Sequence, residues 1–314
     1  MRNSAPALES AVVPSRAGGL GRGKTRGKLR SIGVRYGFTL PALAIYSVFL
    51  IYPAFRTVRL SLTNWDGIAP TWRHVGLKNY DRLLQNDIFH LALKNTLIWS
   101  VAIIVVPCTL GLFLAVALNE EFRGRAVFRT IFYAPGVLPL VGVALIWGWI
   151  YNPQFGFLNQ FLIKIGLESL SQPWLGQPST ALWATIVAGV WVRTGFPMLI
   201  YLAALQAIPK ELFEAARIDG ARGWRVFRDI TFPQLGPTHV VVVALSVIDS
   251  LKVFDLIYAM TYGGPGNDTQ VIGTWVYFNI FNFNKAGYGS AIAVVGASIS
   301  LLIGIPYVLF QARK

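Results

Sequence analysis

Charge is scarce in this 314-residue chain: Asp, Glu, Lys and Arg make up 13% of it, about half the share of an ordinary soluble domain, while 54% is hydrophobic. That balance argues against a water-soluble enzyme. Acid is scarcer than base, 14 Asp and Glu against 28 Lys and Arg, which leaves a net charge of +14. Cysteine is reduced to Cys108, so no internal disulfide can form and redox chemistry gives no compartment. The three histidines, His74, His90 and His239, have no spacing that puts two on one helical face with a third ligand, so no metal site is expected. There is also no Gly-x-Ser-x-Gly elbow and no GxGxxG after a strand. Neither catalysis nor a bound cofactor is expected.

What the chain has instead is long uncharged apolar runs. Tyr36 to Phe55 carries no charge, and its 20 residues, at about 1.5 Å each, match a hydrocarbon core of roughly 30 Å. The same test places spans near Asn95 to Leu118, Thr130 to Ile150, Ala181 to Leu205, Leu235 to Tyr258 and Tyr288 to Phe310. The expected fold class is therefore an all-α polytopic membrane protein of six transmembrane helices, with a permease domain over 36–311. Six spans put both termini on one side. The segments on that side (1–35, 119–129, 206–234 and 311–314) hold 18 Lys and Arg, and those on the other (56–94, 151–180 and 261–287) hold 8. The positive-inside rule then puts both termini in the cytoplasm of a multi-pass protein of the cytoplasmic membrane.

Residues 1–35, rich in Gly, Ser, Pro and Arg, hold eight of the basic residues and read as a disordered tail. Gly18 to Thr25, GGLGRGKT, formally matches a phosphate-binding loop. That loop works only between a strand and a helix whose amino end faces the phosphates, and here a basic tail runs into a membrane span, so it is rejected as an ATP site. The surplus of base belongs with anionic lipid headgroups, not with nucleic acid.

Between the fourth and fifth spans lies an amphipathic interruption, 208–234. Pro209 suits a first helical position, Glu211 and Glu214 favour the positive end of the helix, and Asp219-Gly220 supplies the stop. A second short helix is expected from Ala221 to Ile230, with Trp224 and Phe227 on one side, ended by Pro233. Residue order is informative here. Glu214-Ala215-Ala216, Gly220 four residues on, and Ile230 with Pro233 resemble the cytoplasmic EAA loop of ABC importer permeases. Asp219-Gly220-Ala221 is similar to the carbohydrate branch, whose permeases pair as in the maltose and glycerol-phosphate systems. The likeness runs from about Pro41 to Gln311 and includes FLIYPAF, SLTNWDG, VGLKNYDRLL, Asn95-Thr96, Lys252-Val253-Phe254-Asp255-Leu256, and Gly263-Gly264-Pro265 with Thr269.

The resemblance implies the type I ABC importer permease fold and a subunit of an ATP-driven sugar importer. Its implied partners are a second permease in a heterodimer, a cytoplasmic ATPase dimer that does the hydrolysis, and an extracytoplasmic solute-binding protein. Glu214, Ala215, Ala216, Asp219, Gly220 and Ala221 would form the coupling contact, and Gly263, Gly264 and Pro265 an outer loop within reach of the receptor. Importers of glycerol-phosphate, amino acids or peptides share the architecture. An ion-coupled carrier would carry inverted repeats, and none is visible.

Two charges fall near mid-membrane, Arg193 in span four and Asp249 in span five. Each costs roughly 2.5 to 3.5 kcal/mol at the bilayer centre, so each must face the bundle interior. Three readings stay open. Arg193 and Asp249 neutralise each other, Lys252 pairs with Asp249 or Asp255 at i,i+3 spacing, or these groups line a substrate cavity with Trp191, Phe196 and Pro197. Trp147, Trp149 and Tyr151, and the run Trp275, Tyr277, Phe278, Phe281 and Phe283, read as belts at the membrane surface.

Overall fold

The computed structural model describes Gly37 and residues 39–311. The basic tail with its GGLGRGKT stretch lies outside the described residues. The chain divides at Arg56/Thr57 into two units. Helix α1, Thr39–Ser61, supplies the described part of the first and runs on into the second.

The second unit is mostly helical. It holds α2 (Lys78–Leu84), α3 (Asp87–Asn119), α4 (Arg125–Tyr133), α5 (Leu140–Ile150), α6 (Phe157–Lys164), α7 (Pro178–Arg193), α8 (Gly195–Gln206), α9 (Lys210–Ile218), α10 (Trp224–Gln234), α11 (Gly236–Ser250), α12 (Asp255–Thr261), α13 (Ile272–Tyr277) and α14 (Ala286–Gln311). Among the described residues the only β-type pairing is an isolated bridge between Thr63 and His74. Four helical lengths are long and apolar enough to cross a bilayer: α1, α3, α7 with α8, and α14. Two bent pairs bring the total to six.

The first bend falls inside a span the sequence reads as straight, and the second falls where the elbow is expected to give way to span five. Residues 130–150 lie on a pair bent by 105°, and the residues from 235 follow a 68° bend. Prolines cause both. Pro135 and Pro139 interrupt the first, and Pro237 follows the joint of the second, each lacking the N–H that a continuing helix donates. A further break at 251–254 divides the expected 235–258 span, and no Gly or Pro marks it. Packing sets it: Val253 is buried with Leu256, Ile257 and Val271, and its carbonyl approaches Gly273 so closely that a Cβ there would lie 2.6 Å away.

Helix α3 is the axis of the unit. Asn86 caps it by accepting the Phe89 amide at 2.8 Å, and no charged residue follows Lys94 within it. A helix apolar on all sides must be buried or lipid-facing, and α3 runs through three core clusters. Trp99 and Ile103 meet α5, α7 and α12; Ala115 and Leu118 meet α8 and α11; Phe89 and Ala92 meet α2, α13 and α14. Gly111 lets α3 and α8 touch, since a Cβ there would lie 2.7 Å from Pro197 Cβ and 2.8 Å from the Met198 amide nitrogen. Gly111→Val is expected to cost about 1–3 kcal/mol through overpacking. A lowered unfolding temperature in detergent checks it, with Gly142→Ala on α5 as control, where nothing lies within 4 Å of the added Cβ.

The third cluster corrects the belt reading. Trp275 and Phe278, three apart, share a buried face against α14, and only Phe281 and Phe283 of that run are largely exposed. Tyr151 is likewise buried, its hydroxyl donating to the Ala184 carbonyl at 3.2 Å, and Trp147 packs on the first cluster. Trp149 alone of that trio is largely exposed.

Candidate functional site

Three constellations collect the residues singled out by sequence. The first is the elbow between α8 and α10. Pro209 occupies the position before α9, not its first turn. At the other end the chain closes in a Schellman turn: the Ala221 amide donates to the Ala216 carbonyl at 2.9 Å and the Gly220 amide to Arg217 at 3.1 Å. Gly220 has φ +77°, the left-handed conformation that such a turn demands and that side chains resist. Ala216 is buried, whereas Glu214, Ala215, Asp219 and Gly220 are exposed and Ile218 is 86% exposed.

The second helix of the elbow starts later and ends later than the sequence predicts. It runs from Trp224 to Gln234, past Pro233, because Phe227–Thr231 opens into a π turn just ahead of the proline. The widened turn accommodates the ring and its missing N–H. Trp224 stacks on Phe227 with ring centroids 5.2 Å apart, and Arg228 pairs with Asp229 at 2.6 Å. A pocket of about 570 Å³ lies between this elbow and the end of α3, with Phe113, Asn119, Arg217 and Trp224 in its walls.

The second constellation is a cleft of about 430 Å³ at the joint between α7 and α8, lined by Ile103, Tyr133, Arg193, Phe196, Ser246 and Asp249 among others. Arg193 is the last residue of α7 and Asp249 the penultimate residue of α11, so each stands beside a helix break. They form an ion pair, Arg193 Nε to Asp249 Oδ2, at 2.5 Å. Of the two ion-pair readings left open by sequence, this is the one observed, and the pair also borders the cleft. It is not closed to solvent: the Arg193 side chain is 18% exposed and that of Asp249 57%. The guanidinium lies over the Trp99 ring at 5.8 Å, and Arg193 Nη1, Trp99 Nε1 and Trp147 Nε1 are buried donors with no acceptor among the described residues.

The structure does not gather all five expected cavity residues. Arg193, Phe196 and Asp249 line the cleft, with Pro197. Trp191 instead packs edge-on against Trp147 at 5.9 Å, and Lys252 borders a different groove with Ser300 and Leu301. Tyr133, Ser246 and Trp99 were not singled out by sequence. Ser246 had a signal: a hydroxyl one turn before Asp249 in an apolar helix. Trp99 and Tyr133 had none that separates them from core aromatics. Among the described residues, no three His, Cys, Asp or Glu side chains converge as metal ligands would.

The third constellation is the loop 263–270, at the opposite end of the helices from the elbow. Gly263 has φ +80°, and an added Cβ there would meet the Gln270 amide group at 2.4 Å. Thr269 is fully buried and donates to the Gly264 carbonyl at 2.7 Å. Asn95 on α3 donates to the Asp268 and Gln270 carbonyls at 2.7 and 2.9 Å, and Thr96 accepts the Ile272 amide. The Asn95-Thr96 pair therefore anchors the Gly-Gly-Pro loop. Asn95→Ala leaves two carbonyls without that donor, at about 1–3 kcal/mol. The expected outcome is faster hydrogen exchange at residues 266–272 with exchange in α7 unchanged.

Comparison with known proteins converges on one family. The model for "binding-protein-dependent transport system inner membrane component" matches residues 108–314. The trehalose/maltose transport system permease protein MalF of Thermococcus litoralis is 38% identical over 280 residues, covering 89% of this chain and 94% of that protein. The multiple sugar-binding transport system permease protein MsmF of Streptococcus mutans is 35% identical over 272 residues, covering 87% and 92%. Among solved structures, a bacterial alginate ABC transporter in complex with its alginate pentasaccharide-bound periplasmic protein contains a chain that superposes with a TM-score of 0.80 at 25% identity, covering 91% of this chain and 96% of that one. With six candidate spans, an elbow between the fourth and fifth, and likeness along nearly its whole length, the chain belongs to the binding-protein-dependent inner-membrane components, the permease subunits of ABC importers.

Proposed function

We propose that this permease is one of two membrane-spanning subunits of an ATP-driven importer for a sugar or sugar derivative, and that α9 is the handle by which a separate ATPase dimer drives it. The observation that carries the reading is the exposed face of α9. Glu214, Ala215, Asp219 and Gly220 are exposed at the end of a short rod closed by its own Schellman bonds, as a lever needs. The permease itself does no chemistry. Nucleotide-driven closure of the ATPases moves α9, and the spans rearrange about the breaks at Thr194 and 251–254.

Sugar as cargo is supported by the sugar-transporting relatives and by the cleft's chemistry. Sugar hydroxyls donate and accept, and their C–H faces lie on aromatic rings. Lining the cleft, Arg193 offers donors, Asp249 an acceptor, and Tyr133 and Phe196 apolar faces. The excess of 18 basic residues over 8 favours a cytoplasmic elbow with cytoplasmic termini, which leaves the 263–270 loop outside for a loaded binding protein. That receptor drives the cycle only by binding one state better than the other.

Reconstitution tests the reading. In liposomes, the permease pair with its ATPases and binding protein accumulates radiolabelled sugar when ATP is supplied inside. Uptake by this chain alone, driven by an ion gradient, would overturn it.

A further inference from the structure

Among the described residues, Lys252 is a cation without a counterion. It is exposed, yet among the described residues the ion pairs are Arg125–Glu121, Arg193–Asp249 and Arg228–Asp229, none of which includes it. Asp249, three residues before it, is taken by Arg193, and Asp255 lies across the break that ends α11. Among the described residues its ammonium has no hydrogen-bond partner either. It borders a groove of about 370 Å³ whose other walls are Val247, Ile248, Leu251, Leu301, Gly304 and Ile305, together with Ser300, whose hydroxyl donates to the Gly296 carbonyl at 2.9 Å and makes no hydrogen bond with the lysine.

Depth makes this costly. Ser300 sits near the middle of α14, so, with α14 read as a span, the groove and Lys252 lie within the hydrocarbon layer, away from the ends where a four-carbon stem reaches the headgroups. An ammonium facing lipid tails there is penalised by roughly 2.5–3.5 kcal/mol, and a carboxylate opposite it offsets part of that penalty. The groove also has the features of a helix-packing surface. Leu301 is 58% exposed and Ile248 and Ile305 are similarly open, while Gly304 has nothing within 4 Å of where a Cβ would stand, so another helix can approach closely.

We propose that this face, Val247–Lys252 of α11 with Ser300–Ile305 of α14, is the seam against the second membrane-spanning subunit, and that the second subunit presents a carboxylate to Lys252. This rests on the importer reading above, since it needs a second permease. The pair would fix the register of the two subunits within the hydrocarbon layer, where one buried charge pair discriminates strongly against misaligned packing.

The test uses the complete importer, purified through a tag on the ATPase. Lys252→Leu gives opposite signs for the two possible occupants. Against a carboxylate it strands a buried charge, and recovery of this chain with the second permease falls about tenfold or more; against lipid it removes a penalty, and recovery holds or rises. Lys252→Arg keeps the charge and keeps assembly. Because a variant can fail by misfolding, a photoreactive benzoylphenylalanine at Leu301, with Lys252 intact, provides the second readout and is expected to cross-link to the second permease. Normal assembly of Lys252→Leu, or labelling of lipid alone from position 301 in an intact complex, overturns the seam. Failure of the wild-type chain to co-purify with any ATPase or second permease would instead sink the importer reading itself.

Discussion

Proline in place of Gly220 is expected to reduce ATP-driven uptake to background, at least a hundredfold, while the permease still folds and inserts. The reason is local. Gly220 holds φ +77° and donates its amide to Arg217, and proline can do neither, because its φ is fixed near −65° and it has no N–H. The Schellman turn opens and α9 loses its defined end. Nothing lies within 4 Å of the Cβ position at Gly220, so the bundle beneath is not disturbed sterically. Substitutions therefore grade by backbone strain. Gly220→Asn, which tolerates the left-handed region, keeps most uptake. Gly220→Ala pays roughly 1 kcal/mol and loses several-fold. The paired measurement is uptake in proteoliposomes with ATPase activity in the same preparation: a loosened grip shows as hydrolysis that no longer follows transport.

Removal of the Asp249 carboxylate carries the second large effect. Asp249→Ala leaves the Arg193 guanidinium, already short of one acceptor at Nη1, without its ion-pair partner. The charged hydrogen bond is worth about 1.5–3 kcal/mol, and the half-exposed position of Asp249 puts the loss toward the lower end of that range. Lower thermal stability of the purified complex and a tenfold or greater loss of uptake are expected together. The exchange Arg193→Asp with Asp249→Arg separates the roles. It restores the attraction, and with it most of the stability, but inverts the donors and acceptors that line the cleft, so uptake stays low. Recovery of both would mean the pair serves the scaffold alone.

The helices were legible because lipid imposes a blunt code: about twenty uncharged apolar residues, repeated, with basic residues on one side. Joints were less so. Pro135, Pro139 and Pro237 were visible as breakers, yet within spans their effect depends on whether neighbouring helices re-satisfy the freed carbonyls. The break at 251–254 had no local signal at all, since Val253 is pulled into the core by residues far along the chain. Arg193 and Asp249 were found because a charge in an apolar run is conspicuous, and so was Lys252, but their partners were not. Similar depth allowed the first two to meet, whereas which way a lysine faces depends on helix rotation. Trp275 and Phe278 were misplaced for the same reason: an aromatic run near a membrane surface fits a belt or a core equally well until one face is covered.

The handle assigned to α9 has one direct measurement. Ala215 is exposed on that helix and the native thiol, Cys108, is buried, so a cysteine at position 215 in a Cys108→Ser chain reports without competition. A membrane-impermeant maleimide is expected to modify it only from the cytoplasmic side, and bound ATPase to shield it and to form a cross-link there. Modification from the outside of intact cells, or an ATPase that binds without shielding this residue, contradicts a lever at α9.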